Sequence, residues 1–557
     1  MMNIRFLGKA KNSSLLGVIA VCFTLATGYS QSWQTGTSDW NTVGNWSTAN
    51  IPDTNSETAT FSSTGNTAVD LSLDTTVKGI TFGVSSQNYT IGSTGAKTLT
   101  MDLNSASSGV VMTLSSATTQ TFNSAVSVSN AAGTTGSSMQ ISTASGSTAN
   151  FNGTVGVAAN RVFANAGSGT VNFSGQSNLA TGSVLQNAST GIVNITGPIN
   201  VTGAGASVNN STSGTLNFNA SSVSGASSSS FLIRSLGTGK VNVMSDFSNG
   251  SLSMGSTSSA SPTGKIYLVT NGMSLSRGVA FNSGSGGTGN MTLGTTISGG
   301  GTATQAGGVT ISTGAGAGAY TNNFDATNAI DIMDVTGVIS GTQVSGSTVI
   351  KTTGNGTVKF SGTSANTFAS GAGTVTVQVA SGTLELNKTA GVNAIGNVAT
   401  SVDSGATLKW DASNQVGDSA AFTLNGGALN LNSQNDTVGT LSLASSSTIF
   451  FGAGTESLSF ADSSSLNWGS FTLTITGFTQ GTDLLRFGTS SAGLTAAQLS
   501  LFRFSDYGNA QGQIDANGYV TAAVAVPEPS IFFAMLFAIG FMVFLRNQKL
   551  NCLNGVS

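Results

Sequence analysis

The pentapeptide GTVNF at residues 169–173 recurs along the chain at nearly constant spacing. A related pentapeptide, STANF, begins at residue 147, and GIVNI, GTLNF and GKVNV begin at residues 191, 214 and 239. In each of them the third and fifth residues are apolar and the fourth is polar. This two-residue alternation is typical of a β-strand that buries one face.

The length of the repeat predicts the architecture. A fixed period of roughly 20 to 50 residues indicates a solenoid or a propeller, and a propeller blade needs about 40 residues and four strands. Units of about 22 to 26 residues, with turns rich in glycine, serine and asparagine, instead match one coil of a parallel β-helix. We therefore predict an all-β parallel β-helix of roughly 15 to 18 coils, about 70 to 90 Å long at ~4.8 Å per strand.

Two positions of the repeat allow more specific predictions. The glycine in front of each strand suits a turn that requires positive φ. The asparagine at the fourth position is expected to point outward or to form a ladder on the surface.

Both ends of the predicted solenoid depart from the repeat. Solenoid ends need caps, because an uncovered edge strand pairs with other chains. Trp33, Trp40 and Trp46, three of the five tryptophans, lie near the N-terminus and predict one cap. Near the C-terminus, residues 495–502 predict a short helix and Asn517-Gly518 predicts a hairpin turn.

Composition excludes several classes of function. Charged residues form 7% of the chain, against about 25% in ordinary domains, and histidine is absent. Histidine-dependent catalysis is therefore impossible, and no basic stripe is present that would neutralise a nucleic acid. The two cysteines, Cys22 and Cys552, lie near the ends, so a chain processed at both ends would contain no disulfide and no thiolate metal site.

The first thirty residues have the organisation of a secretory signal peptide. A basic leader is followed by an apolar run and by small residues: Arg5, Lys9 and Lys11, then residues 15–26, then Gly28 and Ser30. The run is shorter than the roughly 20 residues that a membrane span needs. We predict cleavage between Ser30 and Gln31, or alternatively after Gly28.

The C-terminus combines three parts in order: Pro527-Glu528-Pro529, an apolar run at residues 531–545, and the basic residues Arg546 and Lys549. A helix of fifteen residues spans about 22 Å, less than the roughly 30 Å hydrocarbon core. These residues resemble the PEP-CTERM sorting signal of Gram-negative bacteria. The resemblance implies that an exosortase, an integral membrane protease-transpeptidase, processes the chain near the motif. It also implies that residues 531–545 form a hydrophobic sorting helix that is a transient inner-membrane anchor.

The body resembles the autotransporter-associated β-strand repeat proteins that often carry this signal. The best matching segment, residues 354–396, contains GNGTVKFSGTSANTFASGAG and SGTLELNKTAGVNAIG. The opening WNTVGNW at residues 40–46 is similar to the beginning of these proteins. The predicted layout has five parts: a signal peptide (1–30), an N-terminal cap with the first coils (31–125), solenoid repeats (126–400), a β-rich C-terminal cap (401–525) and the sorting signal (526–557).

The aspartates of FDATNAIDIMD form the densest acidic cluster of the body. Asp325, Asp331 and Asp334 could bind Ca²⁺ or cleave a polysaccharide as a carboxylate pair. On one strand, however, Asp331 and Asp334 point to opposite faces. We therefore expect turn and surface positions rather than a site.

These observations predict a non-enzymatic exported protein of the cell surface or extracellular matrix of a Gram-negative bacterium, with no cofactor and no nucleic-acid partner. The alternatives are a carbohydrate-binding adhesin and, less favoured, a β-helix polysaccharide lyase or hydrolase. The expected partners are an exosortase-type enzyme and exopolysaccharide or envelope glycans.

Overall fold

The computed structural model describes residues 29–34, 36–92, 97–256, 261–284, 287–313, 317–523, 535, 536, 538–543, 545 and 546. It confirms the all-β fold and the parallel solenoid, which has about 18 turns. In successive turns the chain passes through three sheet positions in the same order, so that each strand pairs with its equivalents one turn before and one turn after. Among the described strands, all pairs are parallel except the two that involve Tyr519–Ala522.

Two sheets occupy the first position. The first sheet has 14 strands: Ser30–Ser32, Thr58–Phe61, Gly79–Phe82, Gly109–Leu114, Ser138–Thr143, Val162–Asn165, Val184–Asn187, Ser207–Asn210, Leu232–Ser235, Ser251–Met254, Val279–Phe281, Val309–Thr310, Ile339–Gln343 and Thr367–Ser370. A five-stranded sheet follows near the C-terminus: Asn435–Val438, Ser457–Phe460, Leu484–Phe487, Tyr519–Ala522 and Gly512–Ile514.

The second position is one continuous sheet of 16 strands: Ala68–Val69, Thr90–Ile91, Thr119–Phe122, Thr148–Phe151, Thr170–Phe173, Ile192–Ile195, Thr215–Phe218, Lys240–Val243, Thr263–Leu268, Thr288–Thr295, Ala319–Ala326, Ser347–Gly354, Thr374–Val379, Ala399–Asp403, Phe422–Asn425 and Leu441–Ser445. We call it the second sheet. It contains the pentapeptides of the repeat.

The third position is divided between two sheets. Seven strands form the N-terminal one: Thr75–Val77, Thr98–Asp102, Ala125–Ser129, Val155–Val157, Ser177–Leu179, Ile199–Val201 and Val223–Ser224. Ten strands form the C-terminal one: Ser274–Leu275, Gly301–Gln305, Asp331–Val335, Thr357–Gly362, Thr383–Lys388, Thr407–Trp410, Ala428–Asn430, Ser447–Phe450, Leu473–Thr476 and Phe502–Phe504.

The core is a column of stacked apolar side chains. The fifth residue of each pentapeptide points inward, and Phe122, Phe151 and Phe173 stack with ring centroids 5.1 and 5.3 Å apart. Ile195 and Phe218 continue the column in register. The rings are nearly parallel because the strands that hold them are parallel and in register, so the same inward position recurs in every turn.

The length of a turn varies more than the repeat predicts. The register partner of Phe422 in the next turn is Leu441, which makes this turn shorter than any of the pentapeptide repeats. The partner of Phe82 is Leu114, which makes that turn longer than any of them. Inserted residues lengthen the connections between strands without changing the inward and outward positions. The predicted range of coil lengths is therefore too narrow in both directions.

The repeat glycines have a different role from the predicted one. Gly169, Gly191, Gly214 and Gly239 do not have positive φ, so that prediction is wrong for these four, whereas Gly382 of the later unit GTLEL has a φ of +62° as predicted. Instead, a Cβ on Gly191 would lie 2.3 Å from the carbonyl oxygen of Gly169, and one on Gly239 would lie 2.1 Å from that of Gly214. Glycine is required here because the backbones of adjacent turns approach too closely for any side chain.

A second set of asparagines supports these corners from inside the coil. Each lies four residues before a repeat glycine and is buried. The side-chain amides donate to the carbonyl oxygens of the glycines at 3.2 Å (Asn165 to Gly169), 2.8 Å (Asn187 to Gly191) and 2.8 Å (Asn210 to Gly214). The same carbonyl oxygens also accept from the backbone amides of the next turn, so the asparagines supply a second hydrogen bond at each corner.

The N-terminal tryptophans cover the first coil. Trp33 and Trp46 pack edge-to-face at 5.0 Å, Trp40 packs on Trp46 at 4.9 Å, and the group contacts Phe61 of the next strand. The backbone amides of this segment also bond to the exposed edges, since Trp33 donates to Thr60 O at 2.8 Å and Trp40 to Asp70 O at 2.8 Å. A segment that occupies these edge groups prevents further strands from pairing there.

The C-terminal end is closed by a helix and a hairpin. The helix predicted at residues 495–502 is one turn, Ala496–Leu499, and Gln498 donates to the carbonyl oxygens of Ser463 and Leu466, which follow the strand Ser457–Phe460, both at 2.9 Å. The predicted turn at Asn517-Gly518 joins Gly512–Ile514 to Tyr519–Ala522. Parallel coils extend to Phe502–Phe504, within the region predicted as a cap. Within the described part of the body there are also four 3₁₀ turns: Val43–Asn45, Ser228–Ser230, Ser491–Gly493 and Ser505–Tyr507.

The predicted sorting helix lies partly outside the described residues. Of residues 531–545, those at 535, 536, 538–543 and 545 are described, and they are helical and exposed. None of the helices among the described residues combines the length and the apolarity that a bilayer span requires. The C-terminal sorting helix therefore stays a prediction.

Candidate functional site

The outward asparagines of the second sheet form the predicted surface ladder. Each side-chain amide donates to the side-chain oxygen of the asparagine one turn before it, at 2.7 Å (Asn172 to Asn150), 2.6 Å (Asn194 to Asn172), 2.7 Å (Asn217 to Asn194) and 2.7 Å (Asn242 to Asn217). The ladder covers five turns. Its amides are already bonded to one another, which leaves this stretch with few groups free to recognise a ligand.

The asparagine ladder ends at Asn242, after which other residue types occupy the next positions of the same outward column of the second sheet. The position that follows Asn242 in the next turn is Tyr267, and the side-chain oxygen of Asn242 has no hydrogen-bond partner among the described residues. After Tyr267 the same column continues with Gly294 and Asp325. The neighbouring outward column lies two residues earlier on each strand. It changes over the same turns, from Thr215 to Lys240 and then Lys265.

That neighbouring column contains three lysines. Lys240 and Lys265 are exposed register partners in adjacent turns, and Lys351 follows three turns later, after Thr292 and Asn323. Four strand spacings of ~4.8 Å place Lys240 and Lys351 about 19 Å apart along the solenoid axis.

A shallow depression accompanies these residues. It consists of two adjoining parts of about 370 and 480 Å³ that share Lys265 and Tyr267. Lys240 lines one part, and Asp325 and Lys351 line the other. We call this surface the lysine groove.

The ring of Tyr267 lies across Gly294. A Cβ on Gly294 would be 2.9 Å from Cε1 of Tyr267 and 2.8 Å from Cβ of Asp325, so only glycine leaves room for the ring. Burial, and secondarily the negative charge of Asp325, raise the pKa of Tyr267 to about 12. The phenol is therefore protonated at neutral pH and presents a hydroxyl donor and an apolar ring face.

The lysine groove has more positive than negative side chains. Asp325 accepts hydrogen bonds from the hydroxyls of Thr327 at 2.6 Å and Thr353 at 2.7 Å. By contrast, Lys240, Lys265 and Lys351 make no ion pair within the described part of the chain, where the three ion pairs all involve Lys359 or Lys409. Three lysines and one aspartate give this surface a charge of about +2 on a chain of net charge −3.

The predicted aspartate cluster is dispersed. Asp325 lies on the second sheet, whereas Asp331 and Asp334 lie on the ten-stranded sheet. As expected, Asp331 and Asp334 point to opposite faces: Asp331 is buried and accepts from Asn328, and Asp334 points outward and accepts from Ser361. The prediction of a surface position is wrong for Asp331. Across the described ranges, no group of three or more acidic or cysteine side chains is placed to hold a metal ion.

The groups that line the lysine groove limit the chemistry that it can perform. Among the described residues that line it, Asp325 is the one acidic side chain, so a carboxylate pair of the kind that hydrolyses glycosides is not assembled there. The hydroxyls of Thr292, Thr353 and Tyr267 and the amide of Asn290 can donate to or accept from a polar ligand.

The structure places the predicted signal-cleavage residues within a strand. Ser30 and Gln31 belong to Ser30–Ser32, which pairs with Thr58–Phe61. The hydroxyls of Ser30 and Thr60 are 2.7 Å apart, and the carbonyl oxygen of Tyr29 accepts from the amide of Thr58 at 3.1 Å. Of the predicted sorting residues, Pro527, Glu528 and Pro529 lie outside the described residues, and Arg546 is exposed.

Sequence reasoning missed the lysine groove, although a signal was present. Residues 264–268 read GKIYL, which begins one repeat after GKVNV at residue 239 and keeps its alternation. Extending the alignment by this one turn would have stacked Lys265 on Lys240 and placed Tyr267 at the asparagine position. No comparable signal identifies Asp325 as the neighbour of Tyr267, because an insertion separates their turns.

A buried carboxylate near the C-terminus was also missed. Asp436 points inward, and its Oδ2 accepts from the indole of Trp410 at 2.7 Å and from the backbone amides of Gln415 and Val416 at 2.9 and 3.1 Å. Its Oδ1 accepts from the amide of Thr437 at 2.8 Å. Burial raises the pKa of Asp436 from 3.8 to about 6, against the opposing effect of these four bonds.

This raised pKa predicts a pH dependence of stability. Between pH 3.8 and about 6 the unfolded chain has lost the Asp436 proton while the folded chain still holds it, so the free energy of unfolding falls as pH rises. We expect Asp436→Asn to remove this component. The measurement is chemical denaturation of parent and variant from pH 4 to 7. Burial also raises the pKa of Glu456, but Glu456 is present in both proteins. The difference between their free energies of unfolding therefore reports on Asp436 alone. If the difference in free energy of unfolding between parent and variant did not change with pH, the prediction would be contradicted.

Three comparisons, with protein-family models, with curated proteins and with solved structures, give no match to this chain.

Proposed function

We propose that the protein is a non-enzymatic, exported rod of the cell surface or extracellular matrix, delivered by an N-terminal signal peptide and a C-terminal sorting signal. In this proposal an exosortase-type enzyme of a Gram-negative bacterium processes the chain after residues 531–545 have held it temporarily in the inner membrane. The body then acts by its shape and surface.

The observation that carries the proposal is the capped solenoid, whose second sheet is continuous through 16 strands and carries a self-paired asparagine ladder. About 18 turns extend for about 85 Å at ~4.8 Å per turn, with a continuous apolar core. The covered ends favour a discrete rod over end-to-end stacking. Stability without disulfides suits a processed chain that has lost both Cys22 and Cys552.

The ends of the processed chain provide the first test. We expect protein recovered outside the cell to lack Cys552 and to begin at Tyr29, the alternative in which the signal is cut after Gly28. A cut after Ser30 would remove the strand contacts of Tyr29 and Ser30 with Thr58 and Thr60. Intact-mass spectrometry and N-terminal sequencing measure both ends.

A variant in which alanine replaces Pro527, Glu528 and Pro529 tests the sorting signal against the parent chain. It should leave the full-length chain in the inner membrane, because the prolines keep the processing site extended and accessible. Release as efficient as that of the parent, or extracellular protein that retains Cys552, would contradict the sorting proposal.

The lysine groove favours a second candidate function, that of a carbohydrate-binding adhesin. The groove offers hydroxyls, amides, positive charge and an aromatic ring on an open surface, which are the groups that bind sugars without cleaving them. A polysaccharide lyase or hydrolase is the third candidate. Release of unsaturated or reducing ends from a polysaccharide would select it over the other two.

A further inference from the structure

We propose that the lysine groove binds an acidic polysaccharide, an extended polymer of uronate-type sugars that runs along the solenoid axis. The inference rests on the proposed function, since an exported matrix protein is one that meets such polymers. It adds a defined site and a class of ligand to that function.

The positive charges of the lysine groove lie along a line. Lys240, Lys265 and Lys351 occupy one column of the second sheet, so their ammonium groups follow a line of about 19 Å, four strand spacings of ~4.8 Å. A point ligand would contact one or two of them. A linear polymer that carries a carboxylate on successive sugars can contact all three.

The three ammonium groups are available to an incoming ligand. None of the three lysines makes an ion pair in the described part of the chain, and two of them are exposed. The one acidic side chain of the groove, Asp325, is bonded to Thr327 and Thr353. An incoming carboxylate therefore meets unneutralised ammonium groups in a chain that is otherwise poor in charge.

The centre of the lysine groove offers contacts for a sugar ring. Tyr267 lies across Gly294 and offers an apolar ring surface at the centre of the groove, where its two parts join. The hydroxyls of Thr292 and Thr353 and the side-chain amide of Asn290 line the same part of the groove. A sugar has an apolar face and a rim of hydroxyls, and this combination of groups matches both.

The same features argue against a nucleic acid. Proteins that hold single strands use aromatic side chains on which successive bases stack, together with a continuous basic groove. The lysine groove contains one aromatic residue and no arginine among the described residues that line it. We therefore assign the positive charges to sugar carboxylates rather than to phosphates.

The test is binding of the full-length, detergent-solubilised protein to immobilised alginate, a polyuronate, with dextran as the neutral comparison. In the double variant Lys240→Thr/Lys265→Thr, the new residues match Thr215 and Thr292 of the same column, so the strands should be preserved. We expect the affinity for alginate to fall about tenfold, and the parent's affinity to fall with added salt.

The matched control is Lys78→Thr/Lys97→Thr, which removes two positive charges from the N-terminal turns. We expect its affinity to stay within about twofold of the parent's, because charges beyond a Debye length of about 10 Å are screened. Tyr267→Phe should retain most of the affinity and Tyr267→Ser should lose it, because the ring rather than the hydroxyl contacts the sugar.

Four results would overturn the inference: no alginate binding at low salt, equal binding to dextran, equal losses in the two lysine variants, or equal competition by single-stranded DNA. These measurements use purified protein and do not depend on export. If the protein bound alginate but stayed inside the cell, the proposed matrix role would be overturned and the binding site would stand. If the protein were exported but did not bind alginate, the binding site alone would be overturned.

Discussion

Gly191→Val will destabilise the solenoid by about 3 kcal/mol or more, because the added side chain has no space between two turns. A Cβ at this position would lie 2.3 Å from the carbonyl oxygen of Gly169, 2.5 Å from that of Gly167 and 2.6 Å from Nδ2 of Asn165. Two of these neighbours are backbone atoms and the third is a buried amide bonded to Gly169. None of them can move without displacing the turn below.

The loss should be local as well as large. Each turn of a solenoid contacts only its neighbours, so a distorted corner weakens two interfaces between turns and leaves distant ones intact. We expect faster amide hydrogen exchange at residues 162–195, measured by mass spectrometry, together with a lower denaturation midpoint.

Gly156→Val is the matched control. Gly156 is at an outward position of the strand Val155–Val157, which precedes the affected corner, and a Cβ there would meet no atom of the described residues within 4 Å. Because valine favours strands and glycine weakens them, this variant should be neutral or more stable by about 0.5 kcal/mol. Equal stability of the two valine variants would contradict the close-approach explanation.

The second large effect is expected at the buried carboxylate. Asp436→Ala should lower the free energy of unfolding by about 3 to 5 kcal/mol, because it leaves several buried donors without an acceptor. The indole of Trp410 and the amides of Gln415 and Val416 all donate to one oxygen of Asp436. Exchange of the Gln415 and Val416 amides and the fluorescence of Trp410 report on this loss directly.

Asp411→Ala provides the comparison for that variant. Asp411 follows Trp410 in the chain, forms an ion pair with Lys409 at 2.8 Å and accepts from Asn432 at the surface. An ion pair of this kind contributes about 0 to 1 kcal/mol. If Asp411→Ala cost as much as Asp436→Ala, loss of negative charge rather than loss of the buried acceptor would explain the effect.

The end caps bear on how such a rod would act in a matrix. The tryptophan segment at one end and the helix and hairpin at the other occupy edge groups that could extend the sheets into another molecule. Rods that cannot stack end to end need a lateral surface to join a network. The lysine groove is such a surface in the proposal above.

Several features of this protein are determined by local sequence. The alternation in GTVNF places Val171 and Phe173 inward and Asn172 outward, and the structure confirms both the coil and the asparagine ladder. These predictions succeed because alternation along a strand depends only on the strand itself. The sorting motif Pro527-Glu528-Pro529 is likewise a linear signal, and it stays a prediction from the sequence.

The lysine groove and the role of the glycines are decided by the tertiary structure. Tyr267 and Asp325 are far apart in the chain but lie in one column, separated by Gly294. Gly191 resembles a turn glycine, yet the backbone of the turn below is what excludes a side chain. The physical reason is common to both. The neighbours of a residue in a solenoid lie one turn away. Inserted residues change the number of residues in a turn from place to place along the chain. The pairs of residues that meet are therefore determined by the register of the folded strands.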